Sequence, residues 1–211
     1  MSLQAIRKSV VPAIAAVALL GACASAEPPD TPPSDIASYP ALAEDGYASV
    51  TVTRDFDVPR DWLRTWLAET SAFTTNFEST DDIAKPASTE VLSGEWFEPG
   101  SVRRVRLEDG HYVLERIVGN SPSRLEYQIW AFTNAAGKNV DHIRGVQEFE
   151  ALDADTTRFT WTYAALPNSG FKRPFVKRFV DSEVRDYLQS SLDRTVVQAE
   201  TAYHEASGGP S

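Results

Sequence analysis

The pattern of hydrophobic and polar positions first becomes regular in residues 48–56, where the two kinds of residue alternate and β-branched side chains are frequent. Alternation of period two predicts a strand with one buried face. The period then lengthens to that of a helix, with Asp57 placed to cap it and Pro59 in its first turn. The apolar face of this helix comprises Trp62, Leu63, Trp66 and Leu67. We therefore predict a strand followed by a short helix.

After a loop of mixed character, further strand-like runs follow one another closely. They are Val102 to Leu107, Tyr112 to Val118, Arg124 to Phe132, Ile143 to Leu152, and Arg158 to Ala164. Turn-forming residues separate them, and the pair Asp109-Gly110 is typical of a tight hairpin. This order predicts an antiparallel meander.

Apolar residues recur at helical spacing from about Lys172 or Pro174 to Ala206, while the opposite side carries several acids. A stripe of this length must be buried, and the only surface large enough is the predicted sheet. We therefore predict an α+β fold in which a curved antiparallel β-sheet wraps around a long C-terminal α-helix.

The N-terminus has the composition of an export signal, with Arg7 and Lys8 before an apolar run from Val10 to Leu20. That run is too short to span a membrane. The following residues, Leu20-Gly21-Ala22-Cys23, resemble the lipobox of bacterial lipoproteins. The resemblance implies a signal peptide over 1–22 and a Cys23 that carries lipid on its sulfur, with palmitate among its acyl groups. A general secretory signal that happens to end in cysteine is the alternative.

This resemblance also predicts location. The chain would be anchored in the cell envelope and face the periplasm, and Ala24, where an aspartate would retain a lipoprotein in the inner membrane, favours the outer membrane. Residues 23–46 are proline-rich and lack any apolar period, so we predict a tether there, or else a short ordered arm around Tyr39 to Leu42. Residues 47–206 are the size of one domain, and 207–211 form a disordered tail.

Several motifs in the domain resemble one superfamily. Residues 99–117 contain a glycine, an arginine-containing strand, a turn with glycine and then Glu-Arg-aliphatic, and residues 125–127 and 157–161 follow the pattern of later strands. Together with the order of elements, they resemble the START-like or SRPBCC superfamily, in its polyketide cyclase/dehydrase and lipid-transport-like branch. The resemblance implies a helix-grip fold whose cavity binds lipids, polyketides or other apolar molecules, with catalysis in only some members.

Strand register around the Asp109-Gly110 turn sets Val105 opposite Val113 and Arg103 opposite Glu115. Continuing the same parity predicts a ligand-binding wall. It comprises Arg103, Val105, Leu107, Val113, Glu115, Ile117, Tyr127, Ile129, Phe159, Trp161 and Tyr163 from the strands, with Val184, Tyr187 and Leu188 from the helix as its roof. For the aromatic members, plain core packing is the alternative.

The pair formed by Arg103 and Glu115 allows two interpretations. It could orient a ligand's hydroxyl or carboxylate, in which case alanine variants would weaken binding at little cost in stability. It could instead be a structural cross-strand ion pair, in which case both variants would unfold. Leu125 is expected to share this inner face.

Other chemistry has little support in the sequence. The three histidines have no familiar metal-ligand spacing, and nucleophile, phosphate-loop and dinucleotide motifs are missing, so we expect no cofactor and no metal. The formal charge of −10 argues against nucleic acid as a partner. The main prediction is binding or transfer of an apolar molecule, gated by residues 74–99 or 166–174. A cyclase-like enzyme using Glu115, Tyr127 or Tyr163 is the first alternative.

A second alternative is a non-catalytic lipoprotein that docks a partner protein. It would use the basic cluster Lys172, Arg173, Lys177 and Arg178, which is otherwise a solvated helix start.

Overall fold

The computed structural model describes residues 27–68 and 76–208. The predicted signal peptide, Cys23 and residues 209–211 of the predicted tail lie outside these residues. Among the helices of the described part, none combines the length and the apolar character needed to cross a bilayer.

Seven antiparallel strands form a single curved sheet, whose spatial order is β1-β7-β6-β5-β4-β3-β2. The strands are β1 (Ala48–Phe56), β2 (Pro86–Ser93), β3 (Val102–Leu107), β4 (Tyr112–Ser121), β5 (Arg124–Trp130), β6 (Val140–Ala151) and β7 (Thr157–Pro167). Every predicted run is a strand, with ends that shift by a few residues. The predicted fold class is confirmed.

The helices lie on one face of this sheet. They are α1 (Arg60–Ala68), α2 (Arg173–Phe179) and α3 (Arg185–Ala206), and a π-helical turn (Val180–Val184) joins the last two into one long C-terminal helix. Helix α1 begins three residues after Asp57, whose backbone N–H donates to Glu200 Oε1 at 2.9 Å. The carbonyl of Pro59 accepts the first helical hydrogen bond, from the Leu63 N–H at 3.0 Å.

Strand β2 is a correction to the predicted loop between residues 74 and 99. It pairs with β3 at the edge of the sheet, from Pro86 opposite Leu107 to Ser93 opposite Val102. Most of its side chains are exposed or half-buried, so the strand carries no alternating hydrophobic signal. Any gate in this region is therefore confined to the segments on either side of β2.

The inner face of the sheet, which faces the helices, carries the main core. Val50 and Val52 of β1, Phe159 of β7, and Leu188 and Leu192 of α3 are all buried there. The apolar stripe of the long helix and the alternating apolar residues of the strands meet on this face. A single hydrophobic core between sheet and helix therefore accounts for both the helical and the period-two patterns of the sequence.

The outer face carries a second, smaller cluster. Val102, Leu114 and Trp130 are buried on it, with Ile36 packed against them. The backbone carbonyl of Pro40 accepts a hydrogen bond at 2.9 Å from Nε2 of Gln128, which is fully buried. Residues 27–46, which we call the arm, thus cover this face.

The arm corrects the prediction of a tether. The Tyr39 ring lies 3.7 Å from the Arg116 guanidinium and 6.0 Å from the Trp130 ring, and the Pro33 carbonyl accepts from Arg104 Nη1 at 3.0 Å. An ordered arm around Tyr39 to Leu42 was the alternative interpretation. Composition could not decide between them, because the partners of the arm lie far along the chain.

Candidate functional site

A polar pair lies within the apolar inner face. Arg103 and Glu115 are cross-strand partners in β3 and β4, as the hairpin register predicted. Their side chains are 13% and 9% exposed, and Arg103 Nε and Nη2 both lie 2.5 Å from Glu115 Oε2. Because both contacts use Oε2, Glu115 Oε1 has no hydrogen-bond partner among the described residues. A carboxylate oxygen that Arg103 leaves uncontacted, in a largely buried pair, can accept a hydrogen bond from a polar group of a ligand.

Trp96, in the connection between β2 and β3, covers the other side of the arginine. Its ring lies 4.0 Å from the Arg103 guanidinium, which places the cation between a carboxylate and an aromatic face. The indole Nε1 of Trp96 is buried and has no hydrogen-bond partner in the described part of the chain. Sequence reasoning missed the contact between Trp96 and Arg103, because Trp96 lies outside every periodic segment.

Two tyrosines stand close to this pair. Burial, followed by the charge of Glu115, raises the pKa of Tyr127 and also that of Tyr163. Both phenols therefore keep their protons across the physiological range. The Tyr127 hydroxyl accepts a hydrogen bond from Trp161 Nε1 at 2.8 Å. Tyr163 is half-buried.

Gly145 of β6 makes room for the Tyr127 ring. It is the cross-strand partner of Tyr127 on one side and of Tyr163 on the other. A Cβ built on Gly145 would lie at most 2.4 Å from three atoms of the Tyr127 ring. The ring therefore lies directly on the glycine, where any other residue would displace it.

Two small cavities lie between the sheet and the helices. The first, of about 20 Å³, is lined by Leu67, Asn76, Phe77, Phe159, Trp161, Ser191, Leu192 and Thr195. The second, of about 110 Å³, is lined by Arg64, Leu67, Ala68, Phe97, Asn120, Leu125, Gln147 and Phe149. Both are well below the roughly 300 to 1,000 Å³ typical of ligand sites.

The predicted wall residues do not line a single open chamber. Phe159 and Trp161 border the first cavity. Others are packed into the core or buried beside it, namely Val105, Val113, Ile117, Tyr127, Val184, Tyr187 and Leu188. Leu107, Ile129 and Tyr163 are half-buried. The predicted parity is therefore correct, but side chains fill most of the space between the two layers, and the ligand-binding role of these residues stays a prediction.

Phe77 is the main aromatic residue filling that space. It comes from the segment after α1, and its ring stacks on Tyr187 with centroids 5.0 Å apart and meets Trp161 edge-on at 6.0 Å. Its neighbour Asn76 donates to Thr195 Oγ1 at 3.0 Å. Sequence reasoning missed Phe77, since a lone aromatic residue in an irregular segment gives no periodic signal.

Comparison with known proteins places the fold. The ZhuI aromatase/cyclase from Streptomyces sp. R1128 superposes with a TM-score of 0.60 at 17% identity, over 78% of this chain and 99% of that chain. A START superfamily protein from Mycobacterium smegmatis gives 0.55 at 12% identity, over 72% and 99%. The protein Ara h 8.0201 gives 0.58 at 17% identity, over 74% and 99%. No protein-family model and no curated protein matches the chain.

These likenesses define the class of fold. The chain has the START-like helix-grip fold, in which a curved sheet holds a long C-terminal helix. At such identities they establish the fold and leave its chemistry to the residues of the site.

Proposed function

We propose that this protein binds an apolar small molecule that carries a hydrogen-bonding group, in the space between the sheet and the C-terminal helix. The observation that carries the proposal is the largely buried Arg103–Glu115 pair inside an otherwise apolar layer, in which Arg103 contacts Glu115 Oε2 and leaves Oε1 to a ligand. A hydroxyl or amide of the ligand would donate to this oxygen. The apolar remainder would be shielded from water by the helix.

Binding requires the two small cavities to become one. Leu67 borders both of them, and Phe77 borders the first. Displacement of Phe77 from between Tyr187 and Trp161 would leave a continuous apolar space that reaches from α3 toward the second cavity. Residues 76–85, which lead into β2, are therefore the proposed gate, within the region 74–99 expected from the sequence.

We further propose that the chain is a lipoprotein, acylated at Cys23 and facing the periplasm, at the outer membrane as Ala24 favours. The lipobox-like residues support this anchor. A binding domain held at a bilayer would exchange apolar molecules with the bilayer over a short distance. Its role would be sequestration or transfer, without chemical change to the ligand.

The test is native mass spectrometry of the chain from Ala24, purified from its own host. All the described elements lie within this chain, whereas a start at Tyr47 would remove the arm. We expect a co-purifying apolar molecule that is lost in Glu115→Gln. The matched control is Glu90→Gln. Glu90 also forms a cross-strand pair, with Arg104, but its carboxylate is far more exposed than that of Glu115.

Phe77→Ala supplies the second measurement. By removing the ring that fills the space, it should increase the amount of bound apolar molecule. If neither the native chain nor Phe77→Ala retains an apolar molecule, the proposal is wrong.

A cyclase-like activity is a second candidate, favoured by the two protonated tyrosines beside Glu115. Buried phenols next to a carboxylate can donate and accept protons, and one structural neighbour is an aromatase/cyclase. An enzyme that closes a ring and eliminates water would lower the mass of its bound compound over time. Tyr163→Phe would abolish that change while leaving the compound bound, whereas a carrier would show no change in mass.

A further inference from the structure

The start of the C-terminal helix exposes an unusual row of aromatic side chains. Phe171, in the 3₁₀ turn Gly170–Lys172 that leads into the helix, is 86% exposed. Phe175 and Phe179 are 67% and 37% exposed, and their spacing of four residues places them on one side of the helix. Val176 and Val180, on the opposite side, are buried and attach the helix to the core. The fold therefore does not use the phenylalanine side. We call residues 170–179 the tip.

The tip is also strongly basic. It contains Lys172, Arg173, Lys177 and Arg178 and no acid, in a chain whose formal charge is −10. Within residues 27–68 and 76–208, no carboxylate pairs with Arg173 or Arg178, whereas Lys177 pairs with Asp181 at 2.5 Å. Exposed aromatic rings flanked by unpaired cations match a surface that is anionic outside and apolar beneath, which is the interface of an anionic bilayer.

The position of the arm indicates the same surface. The tip follows the C-terminal end of β7. Antiparallel register places the β3–β4 turn at the same end of the sheet, along the strand direction. At that turn, Pro28 lies against Gly110. Only four residue steps separate Cys23 from the start of the arm, so a lipidated Cys23 would lie within about 14 Å of it. The anchor and the tip would therefore face the same membrane.

From these observations we infer that the tip is a membrane-docking surface, which inserts Phe171 and Phe175 into the interface of an anionic bilayer and sets its cations against lipid phosphates. The argument from the position of Cys23 rests on the acylation proposed above. The composition and exposure of the tip are independent of that acylation. Docking would hold this end of the sheet, where the helix begins, at the bilayer surface.

The test uses the unacylated chain from Ala24. Since Cys23 is the only cysteine, this chain contains none, so a single thiol introduced by Ser169→Cys can carry an environment-sensitive fluorophore next to the tip. Ser123→Cys, in the β4–β5 turn at the opposite end of the sheet, is the control position. With vesicles of phosphatidylglycerol and phosphatidylethanolamine, we expect a blue shift at position 169 and none at 123. Phosphatidylcholine vesicles should bind much more weakly.

Variants then separate the two parts of the surface. Phe171→Ser combined with Phe175→Ser should lower vesicle affinity on the order of tenfold or more, and so should Arg173→Gln combined with Arg178→Gln. Leu152→Ser and Val197→Ser, which alter exposed apolar residues elsewhere, should leave it unchanged. Thermal unfolding of the tip variants should match the parent chain, because these side chains are exposed.

No blue shift at position 169 with anionic vesicles, or an equal shift at position 123, would overturn the inference and leave the tip to a protein partner. This outcome is independent of ligand binding, because the tip variants should still retain the molecule detected by mass spectrometry.

Discussion

The two faces of the sheet are covered in different ways. On the inner face, a long helix with a regular apolar stripe buries alternating residues of the strands. On the outer face, an irregular proline-rich arm covers Leu114 and Trp130 and supplies the carbonyl of Pro40 to the buried amide of Gln128. A helix satisfies its own backbone and offers side chains, whereas an extended arm also offers backbone carbonyls as partners.

This difference affects where function can arise. On the outer face, the arm pairs with Arg104 and Gln128, although the buried indole N–H of Trp130 has no hydrogen-bond partner among the described residues, and no helix covers this face that could move away from it as a unit. On the inner face, the indole N–H of Trp96 and the amide oxygen of Gln147, which lines the second cavity, are buried without hydrogen-bond partners among the described residues. Unsatisfied polar groups and small cavities on the inner face make it the face where a ligand would lower the free energy most.

The largest effect is expected from Gly145→Ala on the inner face. The new Cβ would overlap the Tyr127 ring, so we expect a loss of about 3 kcal/mol or more in the free energy of unfolding, measured in urea. Gly119→Ala, where a Cβ meets no atom within 4 Å, is the control and should change it by less than about 0.5 kcal/mol. The clash is with the Tyr127 ring alone. Gly145→Ala should therefore lower the free energy of unfolding much less in a Tyr127→Ala chain than in the parent chain. Equal costs in both backgrounds would contradict this explanation.

Breaking the buried ion pair should have the next largest effect. Arg103→Met or Glu115→Leu alone leaves one charge buried without its partner, and each should cost about 3 kcal/mol in urea unfolding. The double variant should recover most of that loss. This expectation differs from the prediction that alanine variants would cost little, because the structure buries both side chains. Single variants as stable as the parent chain would show that water reaches the remaining charge.

On the outer face, Tyr39→Ala should cost about 1 to 2 kcal/mol, since it removes contacts with Arg116 and Trp130. Leu152 is a control of similar exposure, at 41% against 45% for Tyr39, and Leu152→Ala should change stability little. If both variants behave alike, the arm contributes little to the stability of this face.

Alkaline pH should give the smallest effect per residue and should act through the inner face. Burial raises the pKa of Tyr127, Tyr163 and Tyr187 in the folded chain. The stability they support is complete below the unfolded tyrosine pKa of about 10 and is lost as pH rises above it, because only the unfolded chain releases these protons. By pH 10.5 the loss should be about 1 kcal/mol per buried tyrosine. Tyr163→Phe should reduce this pH dependence, and an unchanged slope would mean that Tyr163 ionises in the folded chain.

Local patterns predicted most of the fold. Six of the seven strands, the first helix and the long C-terminal helix each have a period of their own, and the Asp109-Gly110 turn set the register that brings Arg103 to Glu115. The missed features lack such a signal. Strand β2 is an exposed edge, and Phe77 and Trp96 are single aromatic residues in irregular segments. Gly145 could not be distinguished from a turn glycine in the sequence. A glycine is needed there because of the Tyr127 ring, which lies 18 positions away in the chain.

By itself, the sequence determined the elements, their order and the inward parity of the strands, because hydrophobic period and turn chemistry act between near neighbours. Tertiary structure alone decided which residues fill the space between sheet and helix, and that the arm packs on the sheet. Both outcomes depend on contacts between residues remote in sequence, whose energies no local pattern records. The same holds for the tip, where the spacing of its phenylalanines is visible in the sequence, but their exposure is a property of the packed molecule.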